Sequence, residues 1–220
     1  MQERPGPPPL IWAMALIFIG FEIAVQMAAA GILPWADLQS RLLINLAFFD
    51  PQGQLVSMLE TEGVRPAAMR WGSALTYAFL HGGVLHLVMN GVIFLALGGA
   101  VANMIGGVRF VILFCVTAIA GALAFGLISE AEGPLVGASG AIFGLFGALK
   151  RWEWRWIKAT GAPANRFWGT ITALTLMNVA LFFFYPGDGA IAWEAHLGGF
   201  VAGWIIAPFL APGRAGPSPV

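Results

Sequence analysis

Long apolar stretches separated by short polar segments are the main pattern along this chain. The first stretch, from Leu10 to Leu33, contains only Glu22 and Gln26 as strongly polar side chains. Because about 20 apolar residues are needed to cross the hydrocarbon core of a bilayer, such stretches indicate transmembrane helices. The pattern predicts an all-α membrane protein with six transmembrane helices, at about 10–33, 72–97, 108–128, 137–149, 167–186 and 191–210.

The fourth of these stretches is too short to cross a membrane as a helix. It contains about 13 residues and lies between Gly133-Pro134 and Lys150-Arg151. At 1.5 Å per residue, such a helix covers about 20 Å of a hydrocarbon core that is about 30 Å thick. We therefore predict a short fourth helix that starts inside the membrane, after a non-helical, re-entrant segment. Backbone of this kind is tolerated there only when it is buried in protein or lines a wet cavity, which marks a candidate functional site.

Polar segments at the two ends and after the first stretch complete the predicted organisation. Residues 1–9 and 211–220 are rich in proline and glycine, and we predict disordered tails there. Between them lies a single membrane domain at 10–210. The mixed polar and apolar segment 34–70 predicts a large first extracytoplasmic loop with amphipathic pieces at the membrane interface.

The composition agrees with a membrane protein and excludes several other classes. Hydrophobic residues make up 59% of the chain and charged residues only 10%, whereas soluble proteins carry about 25% charged residues. The net charge is zero, so electrostatics give no reason to expect a nucleic-acid partner. The single cysteine, Cys115, excludes an internal disulfide and a cysteine-rich metal site, and the common zinc protease motif HExxH is absent.

The distribution of basic residues predicts the orientation in the membrane. If both termini are cytoplasmic, eight Lys and Arg residues fall in inside segments and only three, Arg41, Arg65 and Arg70, fall outside. This arrangement agrees with the positive-inside rule. We therefore expect a multi-pass protein with both termini cytoplasmic and membrane lipids as partners. The membrane that we expect is a bacterial inner membrane. The second, fourth and sixth helices then all enter from the outer side.

The N-terminus of the fourth helix carries the first candidate chemical group. Ser139 lies between Gly137 and Gly140, where the predicted re-entrant segment becomes helical. Free backbone N–H groups and the positive end of the helix dipole at such a position would stabilise an oxyanion. The flanking glycines allow a tight turn and close approach by a substrate. An N-cap serine in a glycine-rich packing motif is the structural alternative.

The sixth helix carries a histidine beside small residues. His196 is followed by Gly199 and Gly203, which form a GxxxG pair like Gly140 and Gly144 in the fourth helix. Such pairs favour close packing, so we predict that the fourth and sixth helices meet backbone to backbone. His196 would then lie within hydrogen-bond reach of the serine, in the geometry of a nucleophile and its general base. The alternative is a histidine bonded to a neighbouring carbonyl group.

The second helix carries the remaining polar groups. His86 and Asn90 are four residues apart and share one helix face, so both could donate hydrogen bonds to an oxyanion. His81 would face elsewhere on the same helix, about 140° from His86, and we interpret it as a structural residue. An interhelical polar pair is the alternative role for Asn90.

In this order, the motifs resemble those of the rhomboid family of intramembrane serine proteases. The matching pieces are His81-x4-His86-x3-Asn90, Gly137-Ala138-Ser139-Gly140 and Ala195-His196-x2-Gly199-x3-Gly203. The resemblance implies a six-helix bundle in which Ser139 is the nucleophile and His196 its general base. His86, Asn90 and the backbone N–H of Ser139 would form the oxyanion hole, and Gly137 would shape the turn beside the nucleophile.

The resemblance also implies a substrate class. The family cleaves single-span membrane proteins near their outer membrane boundary, without a metal or a cofactor.

Two other functions remain open from the sequence: a non-catalytic rhomboid-like protein that binds membrane helices, and a small transporter or channel. Non-catalytic relatives usually lack the reactive Ser or His, and a transporter would not explain these groups at one depth on three helices.

Two positions depart from the family pattern. Phe143 stands where the family often has a tyrosine that stacks on the catalytic histidine, so a ring is retained but the phenolic hydrogen bond is lost. Arg70-Trp71 reverses the order of the family's first-loop Trp-Arg pair and lies farther from His81. Neither change removes a reacting group.

Overall fold

A computed structural model of the chain describes residues 5–50, 53–61, 63, 72–129, 133–184 and 192–210. Within these ranges the regular structure is helical, and Phe48 and Leu135 form an isolated antiparallel bridge. Three helical segments of the described ranges are long and apolar enough to cross a membrane, namely Pro9–Ala29, Val84–Ile105 and Gly107–Ile128. The chain therefore folds as an all-α integral membrane protein, as the hydropathy pattern predicts.

The helical elements differ widely in length. In chain order they are α1 (Pro9–Ala29), α2 (Leu38–Leu46), α3 (Gln54–Thr61), α4 (Ser73–Thr76), α5 (Val84–Ile93), α6 (Gly99–Ile105), α7 (Gly107–Ile128), α8 (Ser139–Thr160), α9 (Asn165–Phe184) and α10 (Trp193–Ile206). A π-helical turn, Phe94–Gly98, joins α5 and α6 into one rod, and 3₁₀ segments at Tyr77–Phe79 and Ala207–Leu210 follow α4 and α10. The bounds of α1 and α7 agree with the predicted first and third stretches within a few residues.

Helices α7, α8 and α10 pack against one another at the centre of the bundle. Between α8 and α10 the contact is main chain to main chain. A Cβ atom added at Gly199 would collide with the carbonyl oxygen of Gly140, and one at Gly203 with that of Gly144. The predicted backbone packing of these two helices is thus confirmed, and it places Ser139, the first residue of α8, beside α10.

Because this contact leaves no room for a side chain, we expect Gly203→Ala to lower the thermal stability of the protein. The added Cβ would force α8 and α10 apart, at a cost of about 1–3 kcal/mol for overpacking. Gly20→Ala in α1 is the matched control, because nothing lies within 4 Å of a Cβ there and alanine favours a helix. Thermal unfolding of both variants in one detergent measures the difference. Equal melting temperatures would contradict the tight contact.

The fourth helix is longer than the sequence predicts, and this expectation was wrong. Helix α8 has 22 residues, Ser139–Thr160, and does not end before Lys150. The charged residues at 150–151 end the apolar stretch but not the helix. In the part of α8 that follows, one face still packs, because Trp152 is buried while Arg155 on another face is exposed. The described segment before α8, residues 133–138, is not helical, which agrees with a non-helical approach to this helix.

The second predicted stretch is divided in the structure. Helix α4 and the 3₁₀ segment after it form a short first piece, and the long helix begins only at Val84. Gly83 between them has a φ angle of 120°, which favours glycine and is incompatible with a continuous helix. We predicted His81 on the same helix as His86, but it lies in the break before that helix. His86 and Asn90 both lie within α5.

The segment between α1 and α4 is attached to the bundle by hydrogen bonds. It contains α2 and α3, two short helices within the predicted first loop at 34–70. Phe48 and Leu135 exchange backbone N–H···O bonds of 3.2 and 2.7 Å, and the Thr76 hydroxyl donates to the Leu46 carbonyl at 2.8 Å. The loop is therefore bonded directly to the non-helical segment that leads into α8.

Parts of the predicted organisation lie outside the described residues. They are the first four residues, parts of the first loop including the pair Arg70-Trp71, the end of the fifth stretch at 185–186, the start of the sixth at 191, and the tail 211–220. The rest of the predicted N-terminal tail leads into α1, which begins at Pro9. The Asn103 side chain donates to the Gly6 carbonyl at 3.1 Å, and this bond holds the start of α1 beside α6.

Candidate active site

Ser139 is the first residue of α8 and lies opposite His196 of α10. The distance from Ser139 Oγ to His196 Nε2 is 2.8 Å, which is a hydrogen-bond distance. Before the helix, Ala138 is fully buried and Gly137 has a φ angle of 111°, a conformation that favours glycine. The Gly137 N–H donates to the Tyr77 carbonyl at 3.0 Å. The turn before α8 is thus held in place with the serine hydroxyl directed at the imidazole.

His196 is buried and is held by two further side chains. Only 7% of its surface is exposed. The Phe143 ring, about one turn into α8, stacks on the imidazole with centroids 4.3 Å apart and planes 9° apart. On the other edge, His196 Nδ1 lies 2.5 Å from Asn178 Oδ1. Phe143 therefore provides the stacking expected at its position, without a phenolic hydroxyl.

Asn178 of α9 completes this group, and none of the sequence motifs includes it. A signal for it exists, since Asn178 is a polar side chain in the predicted apolar stretch 167–186, and polar residues inside a membrane often mark functional sites. Its partner is not visible in the sequence. Residue spacing within α9 does not say which other helix Asn178 faces.

His86 and Asn90 of α5 lie beside the turn that precedes Ser139. A Cβ built at Gly137 would be 2.7 Å from His86 Nε2 and 3.9 Å from Asn90 Nδ2, so both side chains border the same space. His86 Nδ1 accepts the Gly82 N–H at 3.3 Å, which leaves the proton of the neutral imidazole on Nε2. The Asn90 amide gives one N–H to the His86 carbonyl at 3.0 Å and retains a second. Two side-chain donors therefore border the start of α8.

His81 lies next to His86, and the expectation that it faces elsewhere was wrong. The two rings meet edge to face with centroids 5.3 Å apart, and Phe18 of α1 lies 5.4 Å from the His81 ring. The expected separation assumed one continuous helix, which the break at Gly82-Gly83 removes. Among the described residues, no group of three His, Cys, Asp or Glu side chains forms a candidate metal site.

Gly140 allows a buried tyrosine to approach the start of α8. A Cβ at Gly140 would lie 2.9 Å from Tyr77 Oη, and one at Gly121 of α7 would lie 3.0 Å from the same atom. Tyr77 is fully buried, and its hydroxyl donates to the Ala118 carbonyl at 2.9 Å. The phenol therefore fills the space that two glycines leave between α7 and α8, directly behind the residue that follows Ser139.

A cavity of about 570 Å³ adjoins the imidazole on its α9 side. His196 and Asn178 contribute polar atoms to its wall, and most of the lining is apolar, including Leu174, Trp193 and Phe200. Apolar chambers with a few placed polar groups are typical of ligand sites. An apolar peptide segment would fit this environment.

A family model described as "Rhomboid domain" matches residues 68–213, a range that contains Ser139, His196, His86 and Asn90. The matched range is well over half of the chain. The chain belongs to the rhomboid family. The resemblance seen in the three sequence motifs is thereby confirmed.

Named rhomboid relatives agree with this result. "Rhomboid protease GluP" of Bacillus subtilis (strain 168) is 31% identical over 163 residues, which are 74% of this chain and 30% of that protein. "RHOMBOID-like protein 5" of Arabidopsis thaliana is 31% identical over 143 residues, which are 62% of this chain and 43% of that protein. The chain thus aligns with less than half the length of either relative.

Proposed function

We propose that this rhomboid-family protein is an intramembrane serine endopeptidase that cleaves transmembrane segments of membrane proteins with a Ser–His dyad. The observation that carries the proposal is the 2.8 Å contact between Ser139 Oγ and His196 Nε2. The pair lies at a helix N-terminus, beside two side-chain donors, in an integral membrane protein. A relative whose name includes "rhomboid protease" supports the same chemistry.

In the proposed reaction, Ser139 Oγ attacks the carbonyl carbon of the scissile peptide while His196 Nε2 accepts the hydroxyl proton. The tetrahedral intermediate carries its negative charge on the former carbonyl oxygen. The imidazolium then gives its proton to the leaving amine, the C–N bond breaks, and an acyl-enzyme remains. A water molecule, deprotonated by the same imidazole, then attacks the carbonyl carbon of the ester. The bond to Ser139 Oγ breaks, the imidazolium returns its proton to that oxygen, and the new carboxyl end is released.

Donors from two helices stabilise the oxyanion in this proposal. The Ser139 N–H lies at the positive end of the α8 dipole and has no partner within the helix. The Nε2–H of His86 and the free amide N–H of Asn90 come from α5. Because hydrogen bonds already orient both side chains, the donors are preorganised for the charge that develops. Gly137 leaves the space between them open.

We extend the proposal to the arrangement in the membrane. Helices α8, α9 and α10 supply three further membrane segments, which gives six in total, with both termini cytoplasmic in a bacterial inner membrane. Arg151, Arg155 and Lys158 in the second half of α8 support a cytoplasmic location for that end. Ser139 at the opposite end then lies toward the outer face. The expected substrates are single-span membrane proteins cut near their outer boundary, without a metal or a cofactor.

A serine-directed fluorophosphonate probe tests the proposed nucleophile without knowledge of the substrate. We expect the probe to label the purified protein in detergent and Ser139→Ala to abolish the labelling, because phosphonylation needs an activated hydroxyl. Ser57→Ala, at an exposed serine of α3, is the matched control and should keep full labelling. Labelling that persists in Ser139→Ala would contradict the proposal. An unlabelled wild-type protein would favour a non-catalytic rhomboid-like protein that binds membrane helices.

A further inference from the structure

The carboxamide of Asn178 connects the proposed general base to helix α9. Its Oδ1 lies 2.5 Å from His196 Nδ1, and its Nδ2 donates to the Leu174 carbonyl, one turn earlier, at 3.2 Å. The two contacts use both ends of the amide. Because only the NH₂ group can donate to a carbonyl, the second contact fixes Oδ1 as the atom that faces the imidazole.

This orientation determines which ring nitrogen of His196 carries the proton. Asn178 Oδ1 can only accept a hydrogen bond, so His196 Nδ1 must donate one. A neutral imidazole has a single N–H, and its other nitrogen, Nε2, then carries a free lone pair. That lone pair faces Ser139 Oγ at 2.8 Å. The amide therefore selects the tautomer that can remove the serine proton.

We propose that Asn178 is a positioning residue that holds the His196 ring in the orientation and tautomer that proton transfer from Ser139 requires. This inference rests on the proposed protease function. It makes the site a Ser–His–Asn triad whose three members come from α8, α10 and α9.

Stacking alone does not provide this constraint. The Phe143 ring fixes the plane of the imidazole, because the two rings are nearly parallel at 4.3 Å. A histidine ring can still rotate by half a turn about its Cβ–Cγ bond and return to the same plane, with Nδ1 and Cδ2 exchanged. The hydrogen bond from His196 Nδ1 to Asn178 distinguishes these two states. The stacking and the hydrogen bond together allow only one orientation of the His196 ring.

A neutral amide is well suited to this position. It accepts the Nδ1 proton without placing another charge in the apolar interior of a membrane protein, where charges are costly. Glu194 is the nearest acidic residue to His196 in sequence, but the side chain that contacts His196 Nδ1 is that of Asn178. Papain-like proteases, whose catalytic group is Cys–His–Asn, show that an amide is sufficient to orient a catalytic imidazole.

Steady-state kinetics on a transmembrane reporter substrate test the proposal. Asn178→Leu removes both polar ends with little change in size, and we expect kcat to fall about 10- to 100-fold while KM stays within about twofold. The ring loses its orientation, whereas a leucine of similar size keeps the cavity wall closed and apolar. Asn178→Asp keeps an acceptor oxygen and should recover most of kcat. Thr170→Val, which removes a hydroxyl bonded to the Arg166 carbonyl on the same helix, should leave both constants unchanged.

Nitrogen-15 NMR of the histidine side chains in detergent gives a readout that does not depend on activity. In the wild-type protein we expect the His196 signals of a ring protonated at Nδ1. Asn178→Leu should shift them toward the form protonated at Nε2, which a merely structural role for Asn178 would not do. The variant His196→Gln identifies the signals, because they must disappear from its spectrum.

The two measurements separate the positioning role from the protease function. Unchanged kcat in Asn178→Leu, together with Ser139-dependent cleavage by the wild-type protein, overturns the positioning role and leaves the protease proposal standing. If the wild-type protein shows no Ser139-dependent cleavage, the protease proposal fails. The NMR spectra then decide whether Asn178 holds the imidazole, and an unchanged tautomer in Asn178→Leu overturns that statement too.

Discussion

Replacing Ser139 by alanine is expected to abolish cleavage of a transmembrane reporter protein, with kcat lowered at least about 10³-fold. The hydroxyl oxygen supplies the electron pair of the new bond to the substrate, and an alanine methyl group cannot do so. His196→Ala should have a comparable effect. The double variant should lose little more than either single variant, because the two groups act in one chemical step. Cleavage by the purified proteins in detergent, followed on gels, measures all three.

The serine substitution has a matched control in the same chain. Ser57→Ala makes the same chemical change at an exposed position of α3 and should cleave at the wild-type rate. Melting temperatures of both variants show that any loss is not due to unfolding. Cleavage that survives in Ser139→Ala would disprove the proposed nucleophile. A double variant whose loss equals the product of the two single losses would show that the groups act independently.

Gly137→Ala is expected to lower kcat about 10²-fold or more, the size of effect that follows loss of an oxyanion donor. A Cβ at this position would lie 2.7 Å from both Cε1 and Nε2 of the His86 ring, so the imidazole must move away from the proposed oxyanion site. The φ angle of 111° also disfavours alanine, which strains the turn that places the hydroxyl of Ser139. Single-turnover cleavage of the reporter measures this loss.

Gly133→Ala is the corresponding control, because it changes a glycine of the same non-helical segment. Nothing lies within 4 Å of a Cβ at Gly133, so we expect wild-type cleavage. If Gly137→Ala cleaved as fast as Gly133→Ala, the crowding between Gly137 and His86 would have no functional consequence. The proposed oxyanion site would then be wrong.

Hydropathy predicts which residues prefer a lipid environment. It therefore predicts the end of a helix only where that end coincides with a change in polarity. Helix α1 begins at Pro9, where the polar, proline-rich segment gives way to apolar residues, and α7 ends at Ile128, just before Ser129 and Glu130. At these two ends the bounds are therefore close to the predicted ones. The end of α8 does not coincide with such a change. From Lys150 to Thr160 the chain continues as a helix, with Trp152 buried and its indole N–H donating to the Ala207 carbonyl at 2.8 Å. Helical hydrogen bonds continue beyond an apolar stretch wherever one face still packs.

The part of the candidate site that could be predicted is the part where a local sequence signal indicates which helix faces meet. Glycine pairs in α8 and α10 indicate the faces that meet, and the proximity of Ser139 to His196 follows from them. No comparable signal marks the face of α9 that packs against α10. The partner of Asn178 depends on this tertiary packing, for which a single sequence contains no local signal. The position of His81 was missed for a different reason, since two adjacent glycines interrupt a stretch that hydropathy treats as continuous. The chemical roles of these residues and the count of six spans stay predictions.

The main-chain contact between α8 and α10 separates two kinds of position on α10, which differ in the substitutions they tolerate. The outer face of α10 presents Val201 and Ile205, which are 45% and 62% exposed. These side chains take no part in the glycine contact that sets the spacing of Ser139 and His196. Exchanges among apolar residues there should leave the distance between Ser139 Oγ and His196 Nε2 unchanged. At the glycines, by contrast, a side chain would change that distance, because a Cβ at Gly199 or Gly203 would collide with the main chain of α8.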